Sequence, residues 1–269
     1  MSYKFKDIDH LHELDGQPLT GVSSVGNVVS KPLTYWAAGL ALVPFGWTKD
    51  KDDDGKYVPK SDRLNASLAR RTEIRNLTEE EYLKLLDSSY RDHAQKLKTT
   101  AEAGTDRHAL VEKYVKLMIA DQDGSPKNIN DKDNPIEPFI AWAMIAVKKF
   151  LVSEAHCYSR AHWVGGIVDI VAELKNETIA IIDIKSSKDA YPAQFFQCGG
   201  YDILLSENGA FTKDGEKMFD LGEKKVAAHI VFPFGMKNPT AKVRYDVDKN
   251  REAFLAELTL YRQINNFNK

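Results

Sequence analysis

A chain of 269 residues with 43% hydrophobic and 28% charged side chains carries enough apolar material for a full core, which excludes a disordered or fibrous protein. The formal net charge of -2 gives no bulk basic signal, so any nucleic-acid contact has to come from a local patch. The only cysteines, Cys157 and Cys198, cannot supply a four-thiolate zinc site or an iron–sulfur cluster, and they point to a reducing compartment.

The first residues lack the apolar core of a signal peptide, and no apolar run approaches the roughly 18 residues needed to span a bilayer. The expectation is a cytoplasmic protein with no membrane partner. In chain order, Asp15-Gly16 is a two-residue hairpin signal between segments around Leu11 and Leu19. A helix-rich entry follows, through Val28, Leu33 and Trp36. The charged run 49–55 reads as a solvated loop.

From 61 to 120 the spacing of Leu64, Leu68, Leu77, Leu85 and Leu86 is helical, with Thr78 before three glutamates as a cap. Gly104-Thr105 is expected to punctuate this region. The helix after it sets His108, Val111, Val115 and Met118 on one face, so His108 looks inward. A polar loop at 121–135 precedes a helix expected over 136–151. The period then becomes strand-like at 153–160, 164–174 and 178–186, a three-strand antiparallel meander with a turn at Lys175-Asn176-Glu177. A helix over 191–205, a strand over 226–232 and a helix over 250–264 complete the chain.

Asp183-Ile184-Lys185 ends the apolar run Ile179-Ala180-Ile181-Ile182, and residues two apart on a strand share a face. A carboxylate and an ammonium are costly to desolvate there, so they pair, bind metal or do chemistry. Asp169 closes Gly165-Gly166-Ile167-Val168 on the preceding strand, where the glycines let another backbone or a ligand approach. Carboxylates on neighbouring strands can share Mg²⁺ or Mn²⁺, and Lys185 can then orient a water against a phosphate. On the next helix, Gln197 and Tyr201 lie four apart and share a face.

Taken in order, Gly166-x-x-Asp169, Asp183-x-Lys185 and Gln197-x-x-x-Tyr201, preceded by a helical His108, resemble the PD-(D/E)XK nuclease superfamily in its RecB-like exonuclease branch. Gly21-Val22-Ser23-Ser24-Val25, Trp36 and Gly104-Thr105-Asp106-Arg107-His108 are also similar to phage exonucleases and the mitochondrial genome maintenance exonuclease. The resemblance implies a restriction-endonuclease-like α/β core over 101–269, with a central mixed sheet flanked by helices. It adds a hairpin and helical region over 1–100 that caps the cleft. It implies a metal held by His108, Asp169, Asp183 and the Ile184 backbone carbonyl, with Glu154 as a further acid near it. Lys185 serves the attacking water, and Gln197 and Tyr201 support the active strand or touch DNA. Ser186, Ser187 and Lys188 stand where the branch has a Lys-Thr-Ser-like sequence. The activity implied is Mg²⁺- or Mn²⁺-dependent DNA exonuclease, bacterial or phage-encoded, acting in recombination or repair beside a single-strand annealing or recombination protein. Asp183 replaces the commoner Glu, and the cysteines of the cluster-bearing subfamilies are absent, so no iron–sulfur cluster is expected.

Plain readings stand beside these. Asp183 with Lys185 is alternatively a partly exposed ion pair, His108 a satisfied core histidine, Glu154 a strand-edge glutamate, and Gln197 with Tyr201 a helix face and a core tyrosine. Arg70, Arg71, Arg75, Arg91, Lys96 and Lys98, with Trp47, Tyr82 and Tyr90, can follow phosphates, but interleaved acids favour a solvated face. Cys157, Cys198 and His162 read as packing or surface residues, and His10 with His12 lacks a third ligand. Two further activities remain open: a flap endonuclease using the same residues, and a non-catalytic DNA-end-binding protein on the same scaffold.

Overall fold

In the computed structural model, residues 3–7, 10–29, 34–49, 51, 56–121, 123–129 and 134–266 are described, without the side chains of 34–36, 92–105 and 266. Most of the 49–55 loop, Trp36, Gly104-Thr105 as side chains, Lys96 and Lys98 therefore lie outside the described residues. The chain divides into two units, 31–102 and a second formed by 1–30 with 103–269.

In the second unit, β1 (Tyr3–Lys6), β2 (Leu11–Leu14) and β3 (Gln17–Pro18) form an antiparallel sheet. The β2–β3 turn is the expected Asp15-Gly16 pair, with φ of 51° and 78°, a left-handed pair that suits a two-residue hairpin. Next, β4 (Thr20–Gly21) leaves this sheet and runs parallel to the start of a strand far along the chain, where Thr20 pairs with Val164. The opening of the chain thus belongs with the large sheet rather than with the whole 1–100 region. The short helix α1 (Val22–Gly26) buries Val22 and Val25.

The 31–102 unit holds α2 (Thr34–Leu42), α3 (Lys60–Arg75) and the first part of α4 (Glu79–Ala120). Thr78 caps α4 as expected: its N–H donates to Glu81 Oε2 at 2.8 Å, and Glu81 N–H donates to Thr78 Oγ1 at 3.3 Å. The expected break at Gly104-Thr105 is absent, and α4 runs through it. One glycine costs about 1 kcal/mol of helix propensity, too little to interrupt so long a helix. Arg70 pairs with Glu73 and Arg91 with Asp87, so the interleaved acids offset these cations.

The core follows. α5 (Glu137–Ala146) ends five residues earlier than expected, because 147–151 joins β5 (Val147–Ser159). That strand pairs antiparallel with β6 (Val164–Leu174), and β6 pairs antiparallel with β7 (Ile179–Lys185), the expected meander. Then come α6 (Pro192–Asn208), β8 (Ala210–Phe211), β9 (Lys217–Phe219), β10 (Val226–Pro233), β11 (Lys242–Arg244) and α7 (Val247–Asn266). The crossover through α6 returns β10 parallel to β7, giving an eight-stranded mixed sheet. The short strands β8, β9 and β11 at its edges carry no clear pattern in the sequence.

Two apolar layers sandwich this sheet. Phe195, Leu204 and Leu205 of α6, Phe254 and Leu258 of α7 and Val22 and Val25 of α1 pack with Ile179 and Ile181 on one face. Val111 and Val115 of α4 and Phe139 and Ile140 of α5 pack with Ile170, Ile182 and Ile230 on the other. A buried polar network ties α6, β10 and α7: His229 Nε2 lies 3.1 Å from Asp202 Oδ2, and His229 Nδ1 lies 2.9 Å from Asn250 Nδ2. Arg251 Nη2 donates to Asp202 Oδ1 at 3.1 Å, so the buried carboxylate is satisfied.

Candidate metal centre

The ladder register sets the carboxylates in a row. Ser153 pairs with Ile170 and Ala155 with Val168, which puts Glu154 opposite Asp169. One step past the Ile170–Ile182 pair, Asp169 stands opposite Asp183. Here the strands fork. One edge of β6 is taken by β7 from Ile170 onward and by β4 at Val164 and Gly165, so 166–169 has no ladder partner there among the described residues.

Both strands also slip in alternation at this point. Val164, Val168 and Val171 of β6 belong to one apolar layer, Ile170, Ala172 and Leu174 to the other. On β5 the matching slip falls between Val152 and Ala155, where Glu154 adopts φ of 50°. A non-glycine residue in the left-handed region costs on the order of 1–3 kcal/mol, a strain found most often at functional positions.

α4 approaches from one face and brings His108 to this kink. Its Nε2 lies 3.1 Å from Asp169 Oδ2 and 3.5 Å from Glu154 Oε1. The ligand atoms of His108, Glu154 and Asp169 all lie within 4.8 Å of one another. One imidazole and two carboxylates make a donor set that fits a divalent cation. Asp183 falls outside that set and faces Lys185, whose Nζ is 2.8 Å from each of its oxygens. The ammonium hydrogens are directed at Oδ1, which leaves the buried Oδ2 in charge contact without a directed hydrogen bond. Asp183 is 1% exposed while Lys185 keeps a quarter of its side chain open to solvent.

Burial and charge set the protonation pattern. The hydrogen bond to Asp169 lifts His108 to about 9, and burial works against it. Burial favours the neutral form of Asp169, but the His108 hydrogen bond and the Lys185 charge outweigh it and hold the carboxyl below its ordinary value. Burial pushes Glu154 and Asp183 each up to about 7. Burial also opposes the Lys185 ammonium, yet the adjacent Asp183 charge keeps its pKa raised. Three acids and two cations thus lie together, and any cation taken up by His108, Glu154 and Asp169 would compete with protons for them.

The other expected residues are accounted for as follows. Ile184 is brought in through its N–H, which donates to Asp169 Oδ2 at 2.8 Å, and its side chain packs in the layer beneath. Gln197 Nε2 donates to Tyr201 Oη at 2.8 Å, and Tyr201 is buried against the strand. A Cβ on Gly166 would come within 2.8 Å of the Tyr201 ring and 2.9 Å of Val22. The glycine thus gives room to side chains of this same chain. Ser187 Oγ donates to Asp189 O at 2.7 Å and accepts from Gln194 Nε2 at 3.0 Å, which braces the turn into α6. Ser186 backs Gly235, whose added Cβ would lie 2.4 Å from the Ser186 carbonyl, and Lys188 is exposed. Cys157 and Cys198 are buried and free. Sequence reasoning missed the strained backbone of Glu154, for which composition holds no signal.

No family model matches the chain, and no curated protein matches it in sequence. Among the described residues, no helix is long and apolar enough to cross a membrane.

Proposed function

We propose that this protein is a Mg²⁺- or Mn²⁺-dependent deoxyribonuclease that removes nucleotides from DNA ends. The observation that carries the reading is the cross-strand row Glu154, Asp169 and Asp183, with His108 on one side and Lys185 on the other, at a fork in the sheet. His108, Glu154 and Asp169 would hold the cation, with Asp183 extending the anionic rim. A bound divalent ion would supply charge stabilisation to the phosphodiester and acidify a water.

The side chains do the rest. Lys185 Nζ, fixed by Asp183, orients the attacking water and offsets charge growing on the phosphate. Gln197 and Tyr201 brace the strand behind it, which keeps the geometry within the narrow tolerance that positioning requires.

Labelled linear DNA, incubated beside covalently closed single-stranded circles with Mn²⁺, tests the reading. Linear DNA is expected to shorten from an end while the circles survive. Cut circles would replace the exonuclease by an endonuclease on the same residues. Asp183→Ala is expected to abolish cleavage in a folded protein, and unchanged cleavage would show the site to be misassigned. Metal-loaded wild type that binds ends but never cuts them would leave an end-binding protein.

A further inference from the structure

A cavity of about 590 Å³ opens at the same fork. Its wall includes Gly166 and Ile167, on the stretch of β6 that has no ladder partner, together with Thr20 and Gly21 of β4 and Tyr201 of α6. Ile167 and Gly166 lie two and three residues before Asp169, about 7–10 Å along the strand. A phosphodiester held at Asp169 would therefore carry one of its flanking nucleosides to this opening.

The lining has a specific chemistry. The lining includes the hydroxyl residues Thr20, Ser23 and Ser24 and the aromatic residues Phe5 and Tyr261. No lysine or arginine is among the described lining residues. His12 contributes its ring, with Nδ1 held 2.6 Å from Tyr3 Oη, and burial lowers it to about 4, so it is neutral at ordinary pH. Beside the exposed His10, the described lining residues offer a phosphate or an acidic peptide no lysine or arginine to pair with. A flat, uncharged ring with polar edges would find both stacking surface and hydrogen-bonding hydroxyls, in a volume within the range that encloses small ligands.

We propose that this cavity is a nucleoside subsite, which takes the base and sugar next to the scissile phosphate and so sets where the strand stops in the cleft. The proposal rests on the nuclease reading for its biological sense, but its binding chemistry is independent of cleavage.

Calorimetric titration of the full chain with deoxyadenosine, thymidine and inorganic phosphate, without metal, tests it. Both nucleosides are expected to bind and phosphate to give no heat. Ser23→Trp, which adds a large ring at an exposed position on the cavity wall, is expected to weaken nucleoside binding at least tenfold in a protein with unchanged melting. Tyr261→Ala, on a different element, is expected to weaken it as well. Asp183→Ala is expected to bind nucleosides as the wild type does. Absence of nucleoside binding, or binding unmoved by both Ser23→Trp and Tyr261→Ala, overturns the subsite. Absence of Mn²⁺-dependent cleavage by the wild type overturns the nuclease reading instead, so the two failures are distinct.

Discussion

The Asp169 carboxylate takes the backbone N–H of Ile184 at 2.8 Å, just beyond Ile170 and Ile182, the last paired residues of β6 and β7. A side chain thus closes the ladder and satisfies a backbone donor that the fork would otherwise strand. The same oxygen receives His108 Nε2 at 3.1 Å, so one atom links the sheet to the candidate metal ligands.

Asp169→Asn and Asp169→Ala should separate these roles. Asparagine keeps an acceptor for Ile184 but loses the charge that holds His108 and a cation, so metal-dependent cleavage should fall by more than about 100-fold with modest change in stability. Alanine removes the acceptor too and leaves a buried N–H unpaired, which should cost a further 1–3 kcal/mol, roughly. Denaturant melts of the two variants decide it: equal stabilities would show that the Asp169–Ile184 contact contributes nothing to the fold.

How much of this was legible in the sequence depends on whether the signal is local. The Asp183–Lys185 pair was readable because two charges in an apolar run are expensive wherever the strand lies. The antiparallel meander was readable from the apolar strands and the turn at Asn176. By contrast, Val147-Lys148-Lys149-Phe150-Leu151 shows neither a clear helical period nor strict alternation, and only its pairing with the far end of β6 selects the strand. The two residues of β4 leave no pattern at all, yet they create the fork. Glu154 was the least readable member of the site, since its role depends on a backbone angle and on register with Asp169, neither of which one segment reveals.

The contact between Gly166 and Tyr201 predicts a steric effect. In Gly166→Ala the new methyl would sit 2.8 Å from a ring carbon of Tyr201 in a closely packed layer. Overpacking of this kind should destabilise by about 1–3 kcal/mol and displace Tyr201 from Gln197. Tyr201→Phe removes only the 2.8 Å hydrogen bond and should cost about 1 kcal/mol. Cleavage should drop more in Gly166→Ala than in Tyr201→Phe, because only the former moves the strand that carries Asp169. Equal losses in both would assign the effect to the Tyr201 hydroxyl.

Glu257 gives a pH dependence away from the site. It is 5% exposed on α7, both its oxygens lack hydrogen bonds, and burial pushes it from 4.5 to about 7. Between those values the folded chain binds more protons than the unfolded one, so stability falls as pH rises from about 4.5 through about 7 and then levels off. Glu257→Gln mimics the protonated form and removes this slope. It should match the wild type below pH 4.5 and exceed it by up to about 3 kcal/mol above pH 7. Chemical denaturation at pH 4 and pH 8 reads the difference. A variant less stable than the wild type at pH 8 would mean that the carboxylate is ionised and stabilising.

Glu154 combines strain with chemistry, and its two effects should carry opposite signs. At φ of 50° a glycine has no steric penalty, and removing a carboxyl raised to about 7 by burial also favours the fold at neutral pH. Glu154→Gly should therefore be as stable as the wild type or more so, despite the entropic cost of glycine in a strand. It should at the same time lose one of the three side chains whose ligand atoms cluster within 4.8 Å. Mn²⁺ affinity, followed by calorimetry or by loss of the free-ion paramagnetic signal, should weaken at least tenfold. Gain in stability with loss of metal binding is the signature of strain kept for function. A variant that loses stability and binds Mn²⁺ unchanged would make Glu154 an ordinary strand residue and leave His108 and Asp169 without a third ligand from β5.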